Sequence, residues 1–507
     1  MKKYSFLTFL LCLFIAFSGC NDWLEVEPSD KIDDSKLFSS YAGFRSSLNG
    51  IYEAIAVGKL YGREMSWGTA SVIGQDYTSG STGTNSTYTY MQTYDYERSS
   101  IKSIQSNMWA TAYNAIANCN KLLQEIENKG EDFFPNGIAE KNLIMGEALA
   151  LRGFLHFDMA RLFAPAPASN DDGAYVPYHT KFPSYYSGKQ KTSELLKKVI
   201  ADLEKAKDLV ASWDTIKGIS YLRSLTNRYS NSYLFDPLDR NLGEFFGGRG
   251  NRLNYVAING MLARVHLYAG NYSEAKEYAQ YIYDHFGPKS TKKVGTSSAK
   301  WFKFTDEKNI GSSTVNSNYI KLYEDILFSV YDQNLIQNII NYKGSSTYMR
   351  LNMKLFDYAA HDDKDDARAK LIIKDASNKE ISWKWVTDIQ TTSLYIVPQL
   401  KIVPILRLSE VYQILSECLY REGNYTKASE ILNEFRLARK AKRKVIATAD
   451  EEAFFNELLW EYRKDFMTEG QTLFAYKRLN KNFVIGTQTI DMSDKWVFPL
   501  PNDEEIF

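Results

Sequence analysis

The sequence predicts a mainly α-helical fold in which stacked helical hairpins form a scaffold that carries long irregular loops and a few short strands. Two observations support this prediction. A helical hairpin motif occurs twice in the chain, and two long segments show no helical periodicity. A helix pair of this kind cannot bury its apolar face alone, so it is expected to stack on further helix pairs.

The clearer hairpin runs from Pro404 to Arg436. Apolar residues recur every three or four positions in its first half, which is the period of an amphipathic helix. Gly423-Asn424 ends that helix, because both residues tolerate the left-handed backbone of a tight exit. The second half repeats the pattern. The apolar positions of the two halves are Leu408, Tyr412, Leu415 and Leu419, then Ala428, Ile431, Leu432 and Phe435.

A matching hairpin runs from Gly260 to Ile282. Its turn, Gly270-Asn271-Tyr272, repeats Gly423-Asn424-Tyr425. Small residues recur at the helix crossings, with Ala263 and Ala275 at the positions of Ser416 and Ala428. Small residues at crossings and a Gly at the turn are typical of tetratricopeptide-type repeats.

The remaining secondary structure is predicted from local patterns. We expect further helices, the segments 58–106 and 287–348 as irregular surface structure, and a strand at 381–386. The run from Asp362 to Asp366 is interpreted as a solvated turn, because it lacks the Gly and terminal Glu of a calcium-binding EF-hand loop. Trp109 and Trp460 lie on apolar helical faces and are predicted core residues. The expected helices are 34–57, 107–127, 140–163, one that begins at Thr192, and 349–361.

The first twenty residues have the order of an export signal. Two lysines precede an apolar run from Phe6 to Phe17, and Ser18-Gly19 precede Cys20. The run is too short for a membrane-spanning helix. The Phe-Ser-Gly-Cys sequence resembles a bacterial lipobox, so residues 1–19 are predicted to be a lipoprotein signal peptide and Cys20 the lipidated residue. An ordinary cleaved signal with an incidental Cys20 is the alternative.

Composition and spacing exclude several classes of function. The 61 basic and 61 acidic residues balance, so the basic excess of a nucleic-acid binder is missing. The five histidines show no metal-ligand spacing, and no cofactor or metal site is predicted. GxSxG and HExxH motifs are absent. Cys119 and Cys418 are interpreted as isolated buried thiols, and a disulfide between them stays open.

Several segments together resemble the SusD/RagB nutrient-binding lipoproteins of the Bacteroidetes outer membrane. The resemblance covers nearly the whole chain after Cys20, in the order of the family, and departs from it at Gly153 and Ala164, where the family more often has Ala and Gly. The segments are CNDWLEVEP at Cys20, EALALRGFLHFDMARLFAPAP from Glu147 to Pro167, Asp366-Ala367-Arg368, LRLSEVYQILSE from Leu406, LNEFRLAR from Leu432, EYRKDFMTEGQTLFAYKRL from Glu461, and the closing VFPLPNDEEIF.

The resemblance implies one SusD-like domain over residues 20–507, with sequence halves at about 20–235 and 250–507. It implies a lipid-anchored protein that faces the cell exterior from the outer membrane. Such a protein captures an oligosaccharide and delivers it to a SusC-like TonB-dependent transporter, without catalysis. Capture of peptides or another nutrient by the same route is one alternative. A tetratricopeptide-type adaptor is another, and it predicts that groove residues around Asn259 and Tyr412 bind a protein segment.

The polar residues of these family-like segments are predicted to be scaffold. Arg152, Asp158 and Arg161 lie on one helix, where residues three apart can pair. Glu461, Arg463 and Glu469 are expected at helix crossings. Binding residues are instead expected in the loops, because sugars stack their C–H faces on aromatic rings and use polar side chains for their hydroxyl groups. The candidates are Trp67, Asp76 and Tyr77 in the first irregular segment, and Trp301 and Tyr319 in the second.

Overall fold

The structure is a computed structural model that describes residues 34–78, 86–184, 188–223, 225–229, 244–290, 301–311, 319–344, 349–359, 361–385 and 397–501. The signal segment and Cys20 lie outside these residues, so the lipidation of Cys20 stays a prediction. Within the described ranges the chain is mainly α-helical with short strands, as predicted. The helices are α1 Asp34–Leu37, α2 Tyr41–Ala56, α3 Thr69–Ile73, α4 Ser86–Gln92, α5 Ser99–Glu127, α6 Ile138–Phe163, α7 Thr192–Ser212, α8 Ile219–Arg223, α9 Leu225–Tyr229, α10 Tyr255–Ala269, α11 Tyr272–His285, α12 Leu335–Gly344, α13 Val397–Lys401, α14 Leu408–Arg421, α15 Tyr425–Ala438, α16 Glu451–Asp465 and α17 Gln471–Leu479.

The strands form small two-stranded antiparallel sheets. β3 and β6 make the longest pair and bring the second irregular segment to the start of α14. The other pairs are short hairpins on the helical body. The strands are β1 Ala174–Pro177, β2 Lys189–Lys191, β3 Ile326–Tyr331, β4 Ile372–Lys374, β5 Glu380–Ser382, β6 Ile402–Arg407, β7 Phe483–Ile485 and β8 Gln488–Ile490, paired as β1–β2, β3–β6, β4–β5 and β7–β8.

The long helices form one continuous stack. Each helix in the series α2, α5, α6, α7, α10, α11, α14 and α15 packs against the next. Both predicted hairpins are confirmed as α10–α11 and α14–α15, and they lie side by side through α11 and α14. We call this series the hairpin stack.

The turns of the two hairpins have the predicted geometry. Gly270 and Gly423 adopt φ values of 82° and 79°, in the left-handed region that favours glycine. Ser416 donates a hydrogen bond of 2.7 Å from its hydroxyl to the carbonyl of Ala428, so the small residues do meet at the helix crossing. The predicted close approach of the two axes is therefore confirmed for α14–α15.

One large apolar core joins the helices, and it extends from Phe38 to Phe498. Trp109 and Trp460 are buried, as predicted. Cys119 and Cys418 are buried thiols that form no disulfide. Burial raises the pKa of the Cys119 thiol to about 12, which keeps it protonated and unreactive.

Several predicted element boundaries are wrong. Helix α5 begins at Ser99 rather than at residue 107, and α3 and α4 lie inside the first segment that was expected to be irregular. The expected helix at 349–361 is an extended stretch followed by a 3-10 turn at Met353–Leu355, because Leu351 pairs with Tyr77 from far along the chain. The expected strand at 381–386 ends at Ser382 and becomes a 3-10 turn at Trp383–Trp385.

Candidate ligand-binding site

The first irregular segment meets residues 349–385 at the corner between α16 and α17. We call the described residues of 57–98, 301–331 and 349–385 the loop face. Tyr77 pairs with Leu351 in an antiparallel bridge, and the amide of Thr78 donates to the carbonyl of Arg350 at 2.8 Å. Loops that are remote in sequence therefore form one surface on the helical scaffold.

An aromatic cluster holds the two segments together. The ring of Trp67 lies 6.1 Å from that of Trp385 and 5.3 Å from that of Tyr342, measured between centroids. Trp67 donates from its indole nitrogen to the carbonyl of Gly62 at 2.8 Å. Trp385 donates to the carbonyl of Thr468 in the α16–α17 corner at 3.0 Å. Both indole groups are therefore satisfied by the protein itself.

Asp76 connects the loop face to the same corner. Its carboxylate accepts a hydrogen bond from the amide of Thr468 at 3.0 Å, and its carbonyl accepts one from the amide of Asn352 at 2.8 Å. Burial raises the pKa of Asp76 to about 7, although its bonds from Ser71 and Thr468 oppose the rise. Tyr77 donates from its hydroxyl to the carbonyl of Trp67 at 2.8 Å.

Trp301 and Tyr319 lie in a different part of the loop face. Trp301 packs edge-on against Phe286 with a centroid distance of 5.0 Å. Tyr319 packs against Tyr323 at 4.7 Å. The buried guanidinium of Arg228 donates to the carbonyl of Trp301 at 2.6 Å. The structure thus brings Trp67, Asp76 and Tyr77 together but holds Trp301 and Tyr319 by other contacts.

The sequence reasoning placed these candidates on an exposed surface, and for four of them that placement is wrong. Trp67 and Trp301 are 3% exposed, Tyr77 is 2% exposed and Asp76 is fully buried, whereas Tyr319 is half-buried. The lack of helical periodicity predicts an irregular surface, but long-range packing buries these four side chains. Direct contact of the five residues with a ligand stays a prediction, and burial favours an indirect role for these four.

Sequence reasoning missed accessible side chains that the same segment presents. Tyr90 is half-buried, and the guanidinium carbon of Arg98 lies 4.3 Å from its ring centroid. Arg98 is exposed and is paired with the half-buried Asp95 at 2.7 Å. The signal was the alternation of tyrosines around residue 90. On helix α4 residues two apart lie on different sides, so Tyr88 points into the core while Tyr90 remains accessible.

A buried charge network fastens the loop face to the helices. Six cationic side chains and six carboxylates, all buried, connect through ion pairs from Asp363 to Lys384. Burial would raise the pKa of Glu461 and Asp465, but the surrounding arginines outweigh it and hold both pKa values well below the usual range. Its members are Arg368, Lys384, Arg407, Arg436, Arg439 and Lys464 with Asp325, Asp363, Asp366, Glu461, Asp465 and Glu469.

This network corrects one interpretation and agrees with another. The segment Asp362 to Asp366 is not simply a solvated turn, because Asp363 pairs with Arg436 at 2.7 Å and Asp366 lies within the network. Glu461 and Glu469 are buried at helix crossings as expected. Asp158 and Arg161 also pair on α6. Among the described residues, no group of His, Cys, Asp and Glu side chains could hold a metal ion.

Comparison with known proteins agrees with this architecture. Residues 22–220 match a family model described as "Starch-binding associating with outer membrane", and residues 384–495 match one described as "SusD family". Together these matches span more than half of the chain. The chain belongs to the SusD/RagB family. No curated protein matches its sequence.

Solved structures share the fold of this SusD/RagB protein over nearly its full length. A putative sugar binding protein from Bacteroides vulgatus is similar with 18% identity and a TM-score of 0.67, over 92% of this chain and 96% of that one. A SusD superfamily protein from Bacteroides thetaiotaomicron has 19% identity and a TM-score of 0.64, over 92% and 98%. A SusD-like carbohydrate binding protein from Bacteroides vulgatus has 17% identity and a TM-score of 0.63, over 92% and 96%.

Proposed function

We propose that this protein is a lipid-anchored binding protein of the outer membrane that captures an oligosaccharide outside the cell. It passes the glycan to a SusC-like TonB-dependent transporter and does not cleave it. The observation that carries the proposal is the membership of the family together with a loop face that is fixed on the hairpin stack by buried ion pairs. Such a preorganised surface loses little entropy when it binds a flexible chain.

The loop face has the chemistry that a glycan needs. Its accessible part combines the ring of Tyr90 with the charged groups of Arg98 and Asp95. A ring can stack on the C–H face of a sugar, and charged or amide groups can bind the hydroxyl groups. In the buried layer beneath, the Trp67 and Trp385 cluster holds these loops in place.

The proposed anchoring agrees with the helices of the structure. Among the described helices, none combines the length and the apolar character that are needed to cross a bilayer. An acyl chain on Cys20 would supply the attachment instead, with the single domain of residues 20–507 outside the membrane. Replacement of Cys20 by Ser should abolish incorporation of radiolabelled palmitate and release the protein from the membrane fraction.

The adaptor alternative gains no support from the positions that it requires. Asn259 and Tyr412 are buried in the hairpin stack, where Asn259 donates to the carbonyl of Tyr255 at 2.7 Å. Tyr412 packs between Tyr283 and Phe304. Neither side chain offers a surface to a partner segment.

One experiment separates the remaining functions. The chain without residues 1–20 is run through native gels that contain individual polysaccharides, and the same mixtures are assayed for new reducing ends. Retardation by at least one polysaccharide without new reducing ends is the expected result. New reducing ends would indicate a hydrolase, and retention of peptides with silence across all glycans would indicate peptide capture.

A matched pair of variants tests whether the glycan binds on the loop face. Tyr90→Ala removes an accessible ring, and Tyr425→Ala removes a half-buried tyrosine at the start of α15, outside the loop face. The first variant should reduce retardation, because the stacking surface is lost, and the second should leave it unchanged. Equal retardation of both variants would place the glycan elsewhere on the protein.

A further inference from the structure

Segments that are remote in sequence extend the β4–β5 hairpin on the loop face. The extended segment 350–352 lies beside β5, where the amide of Leu351 donates to the carbonyl of Glu380 at 2.8 Å. Two backbone hydrogen bonds of 2.8 Å join its other edge to the segment 76–78. We call the series 76–78, 350–352, β5 and β4 the composite sheet. Because neighbouring strands lie about 4.8 Å apart, β5 is about 10 Å from the segment 76–78.

Helix α4, which carries Tyr90, lies at the free edge of this sheet. Gln92 at the end of α4 donates to the carbonyl of Tyr77 at 2.6 Å, and Gln75 donates to the carbonyl of Gln92 at 3.0 Å. Carbonyl groups of successive residues in an extended chain point to opposite edges. Helix α4 and β5 therefore flank the composite sheet from different sides, and the accessible ring of Tyr90 belongs to one of these sides only.

The other side carries Trp383, directly after β5. Of the described tryptophans, only Trp383 and Trp496 are not buried. The indole nitrogen of Trp496 is buried, and its ring lies 5.8 Å from that of Phe483. The ring of Trp383 packs partly against the core, but no side-chain hydrogen bond and no ring contact joins it to another described residue. An indole group that keeps part of its ring and its N–H group accessible is typical of a recognition surface.

The backbone that carries Trp383 is fixed on both sides of this residue. The hydroxyl of Thr468 donates to the hydroxyl oxygen of Ser382 at 3.0 Å. On the other side, Lys384 is buried and donates to the carboxylate of Glu469 at 2.7 Å. Both bonds attach the turn to the α16–α17 corner. A ring on such a fixed backbone binds a ligand with little loss of entropy.

We infer that Trp383 is a stacking residue of the glycan site, and that this site binds a chain of several sugars rather than a single sugar. The inference rests on the proposed function for its ligand class. The elements that carry Tyr90 and Trp383 are more than about 10 Å apart across the composite sheet, so a single sugar ring is too small to contact both. A chain that reaches both rings gains from both contacts, because the second contact forms within the complex.

The test is isothermal titration calorimetry of the chain without residues 1–20. The probes are malto-, xylo- and manno-oligosaccharides, each from the monosaccharide to the hexasaccharide. In at least one series the affinity should rise with chain length. Trp383→Leu keeps an apolar side chain but removes the stacking face, so it should weaken hexasaccharide binding at least about tenfold. Trp383→Phe keeps a ring and should bind within about threefold of the wild type.

A matched control and a thermal unfolding measurement separate binding from folding. Trp496→Leu removes the other half-buried indole group, which lies outside the loop face, and should leave the dependence on chain length unchanged. The thermal midpoint of Trp383→Leu should stay close to that of the wild type. Equal hexasaccharide affinity in the wild type and in Trp383→Leu overturns the inference, and so does a wild type that binds the monosaccharide as tightly as the hexasaccharide.

The polysaccharide gels keep this result distinct from that of the proposed function. Equal retardation of the wild type and Trp383→Leu overturns the role of Trp383 and leaves the proposed function intact. Retardation that is weaker for Trp383→Leu than for the wild type and Trp496→Leu supports it. A wild type that no polysaccharide retards and no oligosaccharide binds overturns both.

Discussion

The hairpin stack and the loop face bury their side chains in different ways. In the stack, an outer helix such as α5 buries one face with the helical period, and a central helix such as α14 is buried on almost every side. Helices α14 and α15 meet through residues close in sequence such as Ser416 and Ala428. On the loop face, Trp67 packs against Trp385, and Asp76 reaches Thr468. The stack therefore depends on a repeated local pattern, whereas the loop face depends on contacts between remote segments.

The charge network marks the boundary between the two regions. Arg407, at the end of β6, pairs with Asp325 of the loop face and Glu469 of the α16–α17 corner at 2.9 and 2.6 Å. Burial alone would lower the pKa of Arg407, but these carboxylates outweigh it and raise that pKa, so the side chain stays charged. Buried ion pairs of this kind orient the side chains around them. Removal of one partner leaves an unpaired buried charge, which strongly destabilises the fold.

The largest effect is expected when one network charge is removed. Glu461→Gln leaves Arg368, Arg436 and Lys464 short of a carboxylate in a buried site. The free energy of unfolding should fall by about 3–5 kcal/mol in urea titrations. Glu430→Gln is the matched control, because Glu430 forms an exposed pair with Lys427 and should lose less than about 1 kcal/mol. Equal losses in the two variants would contradict the boundary role of the network.

Truncation of Trp67 tests whether the loop face is packed like the stack. Trp67→Ala removes a buried ring and its hydrogen bond to Gly62, so the free energy of unfolding should fall by about 3–5 kcal/mol. The same truncation at Trp109 in the stack should give a loss of similar size. A loss below about 1 kcal/mol at Trp67 alone would show that this ring does not stabilise the fold. Direct contact of Trp67 with a ligand would then be favoured.

Asp76 should make the stability of the loop face depend on pH. The pKa of Asp76 is about 7 in the folded protein and 3.8 in the unfolded chain. The contribution of Asp76 to stability is therefore complete below about pH 4 and is lost as the pH rises to about 7. Between pH 5 and pH 7 the stability of the wild type should therefore fall relative to Asp76→Asn by up to about 1.4 kcal/mol per pH unit. Urea titrations at both pH values measure this difference.

The exposed Asp208→Asn variant on α7 is the control for this dependence, and it should follow the wild type at both pH values. A wild type and an Asp76→Asn variant that change in parallel would show that Asp76 holds no proton in this range.

The smallest effect is expected at the two turns of the hairpin stack. A Cβ at Gly270 or Gly423 meets no neighbouring atom, so an alanine there suffers only from the left-handed backbone. Each Gly→Ala change should lower the free energy of unfolding by about 1 kcal/mol, and by the same amount in both hairpins. Gly50→Ala in the middle of α2 should instead raise it by about 0.5–1 kcal/mol, because its site is open and helical. Unequal losses at the two turns would show that the hairpins are not equivalent.

Particular residues show how far the sequence could predict the site. The lack of a helical period predicted an irregular surface at 58–106, but a short helix at Ser86–Gln92 divides Tyr88 and Tyr90 between core and surface. Trp67 and Trp301 were assigned to that surface because no local period placed them in the core. Their burial comes from partners hundreds of residues away or on other elements, which a local pattern cannot reveal.

The sequence by itself determined the helical hairpins, their glycine turns, the scaffold role of Glu461 and Glu469, and the family of the chain. The hairpins and their turns repeat locally, and the family and the scaffold role of the two glutamates follow from recognisable segments in a fixed order, although Glu461 and Glu469 pair with the remote Arg368 and Arg407. Only the tertiary structure decided which loop residues are buried and that Asp363 and Asp366 are members of an ion-pair network. Burial and pairing of those groups depend on contacts between segments that are distant in the sequence, and a local sequence pattern does not reveal such contacts.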